Sequence, residues 1–205
     1  MSKILNDTRV RQNALFSNIY WHDFFNAGEV QRVISECQSK DLEQATISQG
    51  VPSLNTEVRV SSTNFHTPNQ SNSWIFKRLN SAIEHINDKH FHFDLYGFNS
   101  FQYAEYYGSQ LGKYDFHMDL FINNESLQFN STRKLSVVIL LSEPGVDFEG
   151  GEFEINSSNE SKANKLDLRK GSLIAFPSFF IHRVKPVTKG IRKSIAIWVE
   201  GPKFK

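Results

Sequence analysis

The run Tyr114-Asp115-Phe116-His117-Met118-Asp119-Leu120-Phe121 sets an imidazole and a carboxylate two positions apart among aromatic and apolar neighbours. On an extended strand residues i and i+2 share one face, so His117 and Asp119 are expected to approach one ion from one side. The third ligand must come from a distant strand. His182, within Phe176-Pro177-Ser178-Phe179-Phe180-Ile181-His182-Arg183-Val184, is the candidate. Two imidazoles and one carboxylate leave coordination positions open, the donor set that suits non-haem iron(II) and its chemistry with oxygen.

A His-x-Asp triplet carries little by itself, because such triplets arise often by chance. The downstream run Gly190-Ile191-Arg192-Lys193-Ser194-Ile195-Ala196-Ile197-Trp198-Val199 adds weight. It is β-rich, and a period of two puts Arg192, Ser194, Ala196 and Trp198 on one face, with Ile195, Ile197 and Val199 on the other. A guanidinium beside a hydroxyl suits a carboxylate: the planar fork makes two charge-assisted hydrogen bonds and keeps its proton. The same parity selects Arg192 over Lys193 as the anchor.

These residues, with Glu149-Gly150-Gly151-Glu152-Phe153, Lys170-Gly171-Ser172-Leu173-Ile174-Ala175-Phe176-Pro177-Ser178 and the run from His182 to Arg192, follow one another in a familiar order. From about Phe98 to Pro202 the chain resembles the prolyl 4-hydroxylase-like branch of the iron(II)/2-oxoglutarate dioxygenases, including the bacterial PKHD-type hydroxylases. The resemblance implies a double-stranded β-helix, a jelly-roll of the cupin-like kind. It implies iron(II) on His117, Asp119 and His182, and 2-oxoglutarate with its far carboxylate on Arg192, helped by Ser194. The family's tyrosine contact to the co-substrate falls on Tyr107 or Tyr114. Oxygen is the second co-substrate, and ascorbate serves as a possible reductant. Related halogenases vacate the carboxylate position for halide, so Asp119 points to hydroxylation.

Two departures stand out. Many relatives have lysine where this chain has Arg192, and a glycine six residues before the first ligand is here Leu111, with Gly112 beside it. For the substrate, the resemblance implies a prolyl residue of a peptide or protein; hydroxylation of a free amino acid or other small molecule, or a non-catalytic jelly-roll binding module, are the alternatives. Trp198, Arg59 and Tyr103 are the candidate substrate contacts.

The elements that must carry this site are mainly β, with supporting helices and an N-terminal α/β support. At 205 residues the chain is read as one domain, 1–97 supporting a catalytic core over 98–202. Seven strands are expected in that core: Phe98 to Tyr106, Tyr114 to Phe121, Leu135 to Ser142, Gly151 to Ile155, Ser172 to Phe176, Ile181 to Val184, and Arg192 to Val199. Upstream, Asn26 followed by Glu29 reads as a capped start for a helix from Ala27 to Ser39. Ile75, Leu79, Ile83 and Ile86 make the stripe of a second helix over Trp74 to Asn87. Strands are expected within Leu42 to Ser62, and a loop over Thr63 to Ser73. Asn123 to Arg133 reads as a loop beside the iron face and Asn156 to Asn164 as a hairpin tip.

His90-Phe91-His92-Phe93-Asp94 is a rival metal cluster if it forms a strand, although alternation of this kind also describes a half-buried strand with a solvated face. His22, His66 and His85 read as surface or capping residues. The formal net charge of +1 offers no basic surface, so no nucleic-acid partner is expected. Cys37 is the sole cysteine, which excludes an internal disulfide and fits a reducing compartment. Met1 to Val10 lacks an apolar core and no later run reaches membrane-span length, so a cytoplasmic protein without a membrane partner is the expectation. The 18 phenylalanines suit a β-rich core with aromatic pocket walls.

Overall fold

The structure, a computed structural model, describes residues 18–49, 51–120, 130–156 and 163–204. The expectations for Met1 to Val10, for Phe121, and for most of the two polar stretches starting at Asn123 and Asn156 lie outside these residues. The N-terminal part comprises β1 (Ile19–Trp21), α1 (Ala27–Cys37), β2 (Glu43–Gln44), β3 (Ile47–Gln49), β4 (Val51–Ser53), β5 (Arg59–Val60), β6 (Ser62–His66) and α2 (Ser73–Ile86). Then follow β7 (Phe101–Tyr107), β8 (Lys113–His117), β9 (Ser131–Leu140), β10 (Phe148–Gly150) and β11 (Phe153–Asn156). The last strands are β12 (Asn164–Lys165), β13 (Leu173–Pro177), β14 (Ile181–Val184) and β15 (Val187–Pro202).

Local chemistry accounts for the two helices. The Asn26 side chain accepts from the Glu29 amide and Glu29 accepts from the Asn26 amide, each at 3.0 Å, so two otherwise orphaned donors are satisfied where α1 begins. In α2, Ile75, Leu79, Ala82, Ile83 and Ile86 recur at helical spacing and are all buried.

Two antiparallel sheets form the body. The larger runs β1-β13-β9-β15-β7-β6-β2, with β10 also paired to β15, and the smaller runs β12-β11-β14-β8-β5. With β10 set aside, the eight strands from β7 onward are ordered first-eighth-third-sixth in reverse across the larger sheet and second-seventh-fourth-fifth across the smaller, a double-stranded β-helix. Alternation along the strands divides the core. Leu135, Val137 and Ile139 of β9, with Ile195, Ile197 and Val199 of β15, pack against the helices. Val138, Leu140, Ile174 and Phe176 turn toward Phe153, Ile155 and Val184 of the smaller sheet. Arg192, Ser194, Ala196 and Trp198 share that inner face, as their parity requires.

Three local expectations are corrected. The segment His90 to Asp94 is not a strand: Asn87–Phe91 forms a widened turn ending α2, and His92 takes a left-handed φ of 54°. The Asn87 side chain holds this turn by accepting from the Phe93 amide and donating to its carbonyl, both at 2.9 Å, so no common ligand face arises. His66 is buried, not a surface residue, because β6 continues through it and its ring stacks on Phe101 at 5.1 Å. Thr63 to His66 is accordingly strand where a loop was expected.

Candidate active site

His117 ends β8, and Asp119 lies beyond the strand, so the two ligands do not meet as residues i and i+2 of one strand face. A turn brings them together instead. The amides of Asp119 and Leu120 both donate to the Ser178 carbonyl at 3.0 Å, which folds the chain back under the strand end. β14 supplies the third residue directly, since its antiparallel register sets His182 opposite His117.

The candidate ligand atoms of His117, Asp119 and His182 all lie within 4.8 Å of one another. His117 Nε2 is 3.7 Å from Asp119 Oδ1, and His182 Nε2 is 3.5 Å from Asp119 Oδ2. Each imidazole Nδ1 is bonded to the carbonyl two residues before it, Asp115 at 2.8 Å and Phe180 at 2.9 Å. A carbonyl only accepts, so Nδ1 carries the proton and Nε2 turns its lone pair toward Asp119. Ser136 donates to Asp119 Oδ2 at 2.7 Å and lies 2.9 Å from the Ser178 hydroxyl. Burial pushes the Asp119 carboxyl up, but His182, His117 and the Ser136 hydroxyl outweigh it and hold it below its usual range. Burial, and then His182, hold His117 down at about 3. Both shifts favour the states a metal needs, a carboxylate and a neutral imidazole. Two nitrogens and one oxygen on one side, oriented by outer hydrogen bonds, fit a divalent iron with open positions.

Arg192 forms the far wall of the same pocket. Its side chain is 1% exposed, and its hydrogen bonds run to neutral partners: Nε to the Gly151 carbonyl and Nη1 to Ser194 Oγ, both at 3.1 Å. No ion pair among the described residues involves it, and burial pulls its pKa down. A buried cation without a counter-charge is costly, and an incoming carboxylate would relieve that cost. The Glu149 to Phe153 motif is explained here. Gly150 and Gly151 have φ of 71° and 62°, and a Cβ on Gly151 would stand 3.1 Å from Arg192 Cδ, so glycine permits both the turn and the close approach.

Residues 101–200 match the family model described as the 2OG-Fe(II) oxygenase superfamily. That stretch, just under half of the chain, holds His117, Asp119, His182 and Arg192. A PKHD-type hydroxylase of Idiomarina loihiensis is 36% identical over 102 residues, covering 50% of this chain and 40% of that protein, so the chain matches less than half of that relative's length. Two solved structures share the fold. A prolyl-4-hydroxylase of Pseudomonas putida superposes with a TM-score of 0.71 at 20% identity, covering 91% of this chain and 93% of its own. A prolyl hydroxylase of Trichoplax adhaerens, solved with a hypoxia inducible factor oxygen degradation domain peptide fragment, gives 0.71 at 23% identity, covering 93% and 87%.

The tyrosines are distributed by strand parity. Tyr114 lines the pocket with its ring stacked on His117, centroids 3.5 Å apart, and Arg59 lies 4.5 Å over its ring. Tyr106 lines the pocket too, cross-strand from Arg192 on β7. The sequence reading missed it as a co-substrate contact, because only the β7–β15 register reveals that pairing. Tyr103 and Tyr107 face the other way, so the expected co-substrate role of Tyr107 and substrate role of Tyr103 are not supported by their placement. Both donate to Glu105, Tyr103 at 2.6 Å and Tyr107 through a short bond, while Lys193 lies 3.5 Å from the same carboxylate. Arg59 is buried at the pocket wall, donating to Gln102 Oε1 at 2.8 Å, and Trp198 completes the lining. Gln102 was also missed; it sits two residues from Ala104 and four from Tyr106, on their face of β7.

The Glu105 cluster carries a pH prediction. Burial pushes its carboxyl up, but Tyr103, Tyr107, Gln38 and Lys193 together hold it below the ordinary 4.5. A carboxyl with a depressed folded pKa stabilises the fold above its unfolded value and loses that contribution as pH falls through the folded one. Urea denaturation of wild type and Glu105→Gln is expected to show the variant about 1–3 kcal/mol less stable at neutral pH, the gap narrowing below pH 4.5. A gap that stays constant with pH would remove the ionised carboxylate from the account.

Proposed function

We propose that this chain is a 2-oxoglutarate-dependent hydroxylase acting on a prolyl residue of a peptide or protein, as one domain in which residues 1–97 support a catalytic core over 98–202. The buried Arg192, with no acid partner among the described residues and facing the triad across one pocket, is the observation that carries the 2-oxoglutarate reading. Iron(II), when bound by His117, Asp119 and His182, supplies the chemistry that couples oxidative decarboxylation of 2-oxoglutarate by O2 to C–H hydroxylation.

The protein's own part is positioning. Arg192 and Ser194 receive the far carboxylate and so fix the co-substrate lengthwise. Ser136 holds Asp119 in place, and the carbonyls of Asp115 and Phe180 hold the two imidazoles. Phe153, Phe176 and Val184 keep the enclosure dry. Tyr106 and Tyr114 line the space beside the co-substrate. Arg59 and Trp198 line the same space, where Trp198 offers a ring face to a prolyl side chain. The prolyl hydroxylase neighbours, one of them solved with a peptide, support the peptide reading. Ascorbate as reductant and a cytoplasmic location belong to the same proposal. No helix among the described residues is long and apolar enough to cross a membrane.

The test is a panel of proline-containing peptides and free amino acids incubated with the protein, iron(II), ascorbate and 2-oxoglutarate. Succinate release with a one-oxygen mass gain on a prolyl residue is the expected result. Oxygen transfer to a free amino acid and to no peptide would overturn the substrate assignment.

A further inference from the structure

A second cleft, of about 280 Å³, meets Arg192 from outside the triad pocket. Leu140, Phe148, Leu166 and Leu168 make its apolar wall, and all four are buried. Phe153 and Arg192 line both spaces, so these two side chains stand between them. Arg192 is therefore offered to two cavities, and its hydrogen bonds among the described residues engage Nε and Nη1.

We propose that this cleft binds a small monocarboxylate with an apolar body, its carboxylate on Arg192, in competition with the distal carboxylate of 2-oxoglutarate. The proposal rests on the reading of Arg192 given above. The charge pattern decides between ligand classes. At the rim, Glu149 is engaged by Lys189 at 2.9 Å and Glu152 by Lys165 at 3.4 Å, leaving exposed Asp167 to add a further negative charge. A second carboxylate on the ligand would face Asp167, whereas an aliphatic tail would lie against the leucines and Phe148. The size agrees: pockets for drug-sized ligands run from roughly 300 Å³ upward, so this one takes a short acid. Occupancy costs the guanidinium nothing beyond what 2-oxoglutarate asks of it, since either carboxylate supplies the missing counter-charge.

The probe is hexanoate, titrated calorimetrically into the full chain without metal, followed by 2-oxoglutarate titrations of the Mn(II)-loaded chain with and without hexanoate. Saturable hexanoate binding is expected, together with a rise in the apparent 2-oxoglutarate Kd as hexanoate increases. Leu168→Trp fills the cleft away from the triad and is expected to weaken hexanoate at least about tenfold while 2-oxoglutarate still binds. If that variant does not fold, Pro144→Trp at the exposed mouth makes the same test. Absence of saturable binding, equal hexanoate affinity in the folded variant, or independent binding of the two acids would overturn the proposal. Failure of 2-oxoglutarate to bind at all, with hexanoate still bound, would overturn the co-substrate reading instead.

Discussion

His182→Ala is expected to lower 2-oxoglutarate turnover to succinate by at least ~1,000-fold. Changes to groups that merely orient metal ligands cost roughly 10–100-fold in affinity or activity, and removing a donor is more severe than misaligning one. His182 is 3% exposed, fixed through Nδ1 to Phe180 and packed between Phe176 at 4.8 Å and Phe153 at 5.6 Å. Those rings keep water and stray donors away. A succinate assay at saturating iron(II) and 2-oxoglutarate, with thermal melting to show that the variant is folded, reads the result. Turnover within ~tenfold of wild type in a folded variant would mean that catalysis does not run through His182.

Arg192→Met is expected to raise the 2-oxoglutarate KM by two to three orders of magnitude, about 3–4 kcal/mol, and to leave the fold intact. Truncating a buried partner of a charge pair usually destabilises a protein because it strands the other charge. Here no charged partner of Arg192 stands among the described residues, so methionine removes an uncompensated cation and fills much the same volume. The cost appears only when the dicarboxylate arrives. Lys193→Met is the control, since Lys193 faces Glu105 on the opposite side of the sheet and should change KM little. Steady-state kinetics on both variants distinguish them. A larger KM effect at Lys193 would move the anchor by one residue.

Parity made this anchor legible in the sequence. A period of two on one long strand already separates Arg192, Ser194 and Trp198 from Ile195, Ile197 and Val199, and β15 keeps that period across both core clusters. Tyr106 was hidden because its role depends on which residue of β7 lies across from Arg192, a fact of register that no single strand carries. Asp119 was chosen for a reason the structure does not share: the strand stops at His117, and the Ser178 carbonyl, distant in sequence, folds the aspartate into place. His66 was misjudged for burial, and the burial of Arg59 went unread, for a related reason. Burial of such residues is eased by partners, and while Ser61 and Asn64 stand two positions away, Gln102 meets Arg59 and Phe101 covers His66 only once β5, β6 and β7 are in place. The segment His90 to Asp94 alternates like a strand but obeys the Asn87 side chain, which closes a turn around it.

Iron stoichiometry tests the central claim most directly. Anaerobic equilibrium dialysis against iron(II), with metal counted per folded chain, is expected to give one tightly held iron in the wild type. His117→Ala, Asp119→Ala and His182→Ala should each lose it, and Glu105→Gln, on the other face of the larger sheet, should keep it. A wild-type chain that holds no iron, or triad variants that hold as much as it does, would contradict the account.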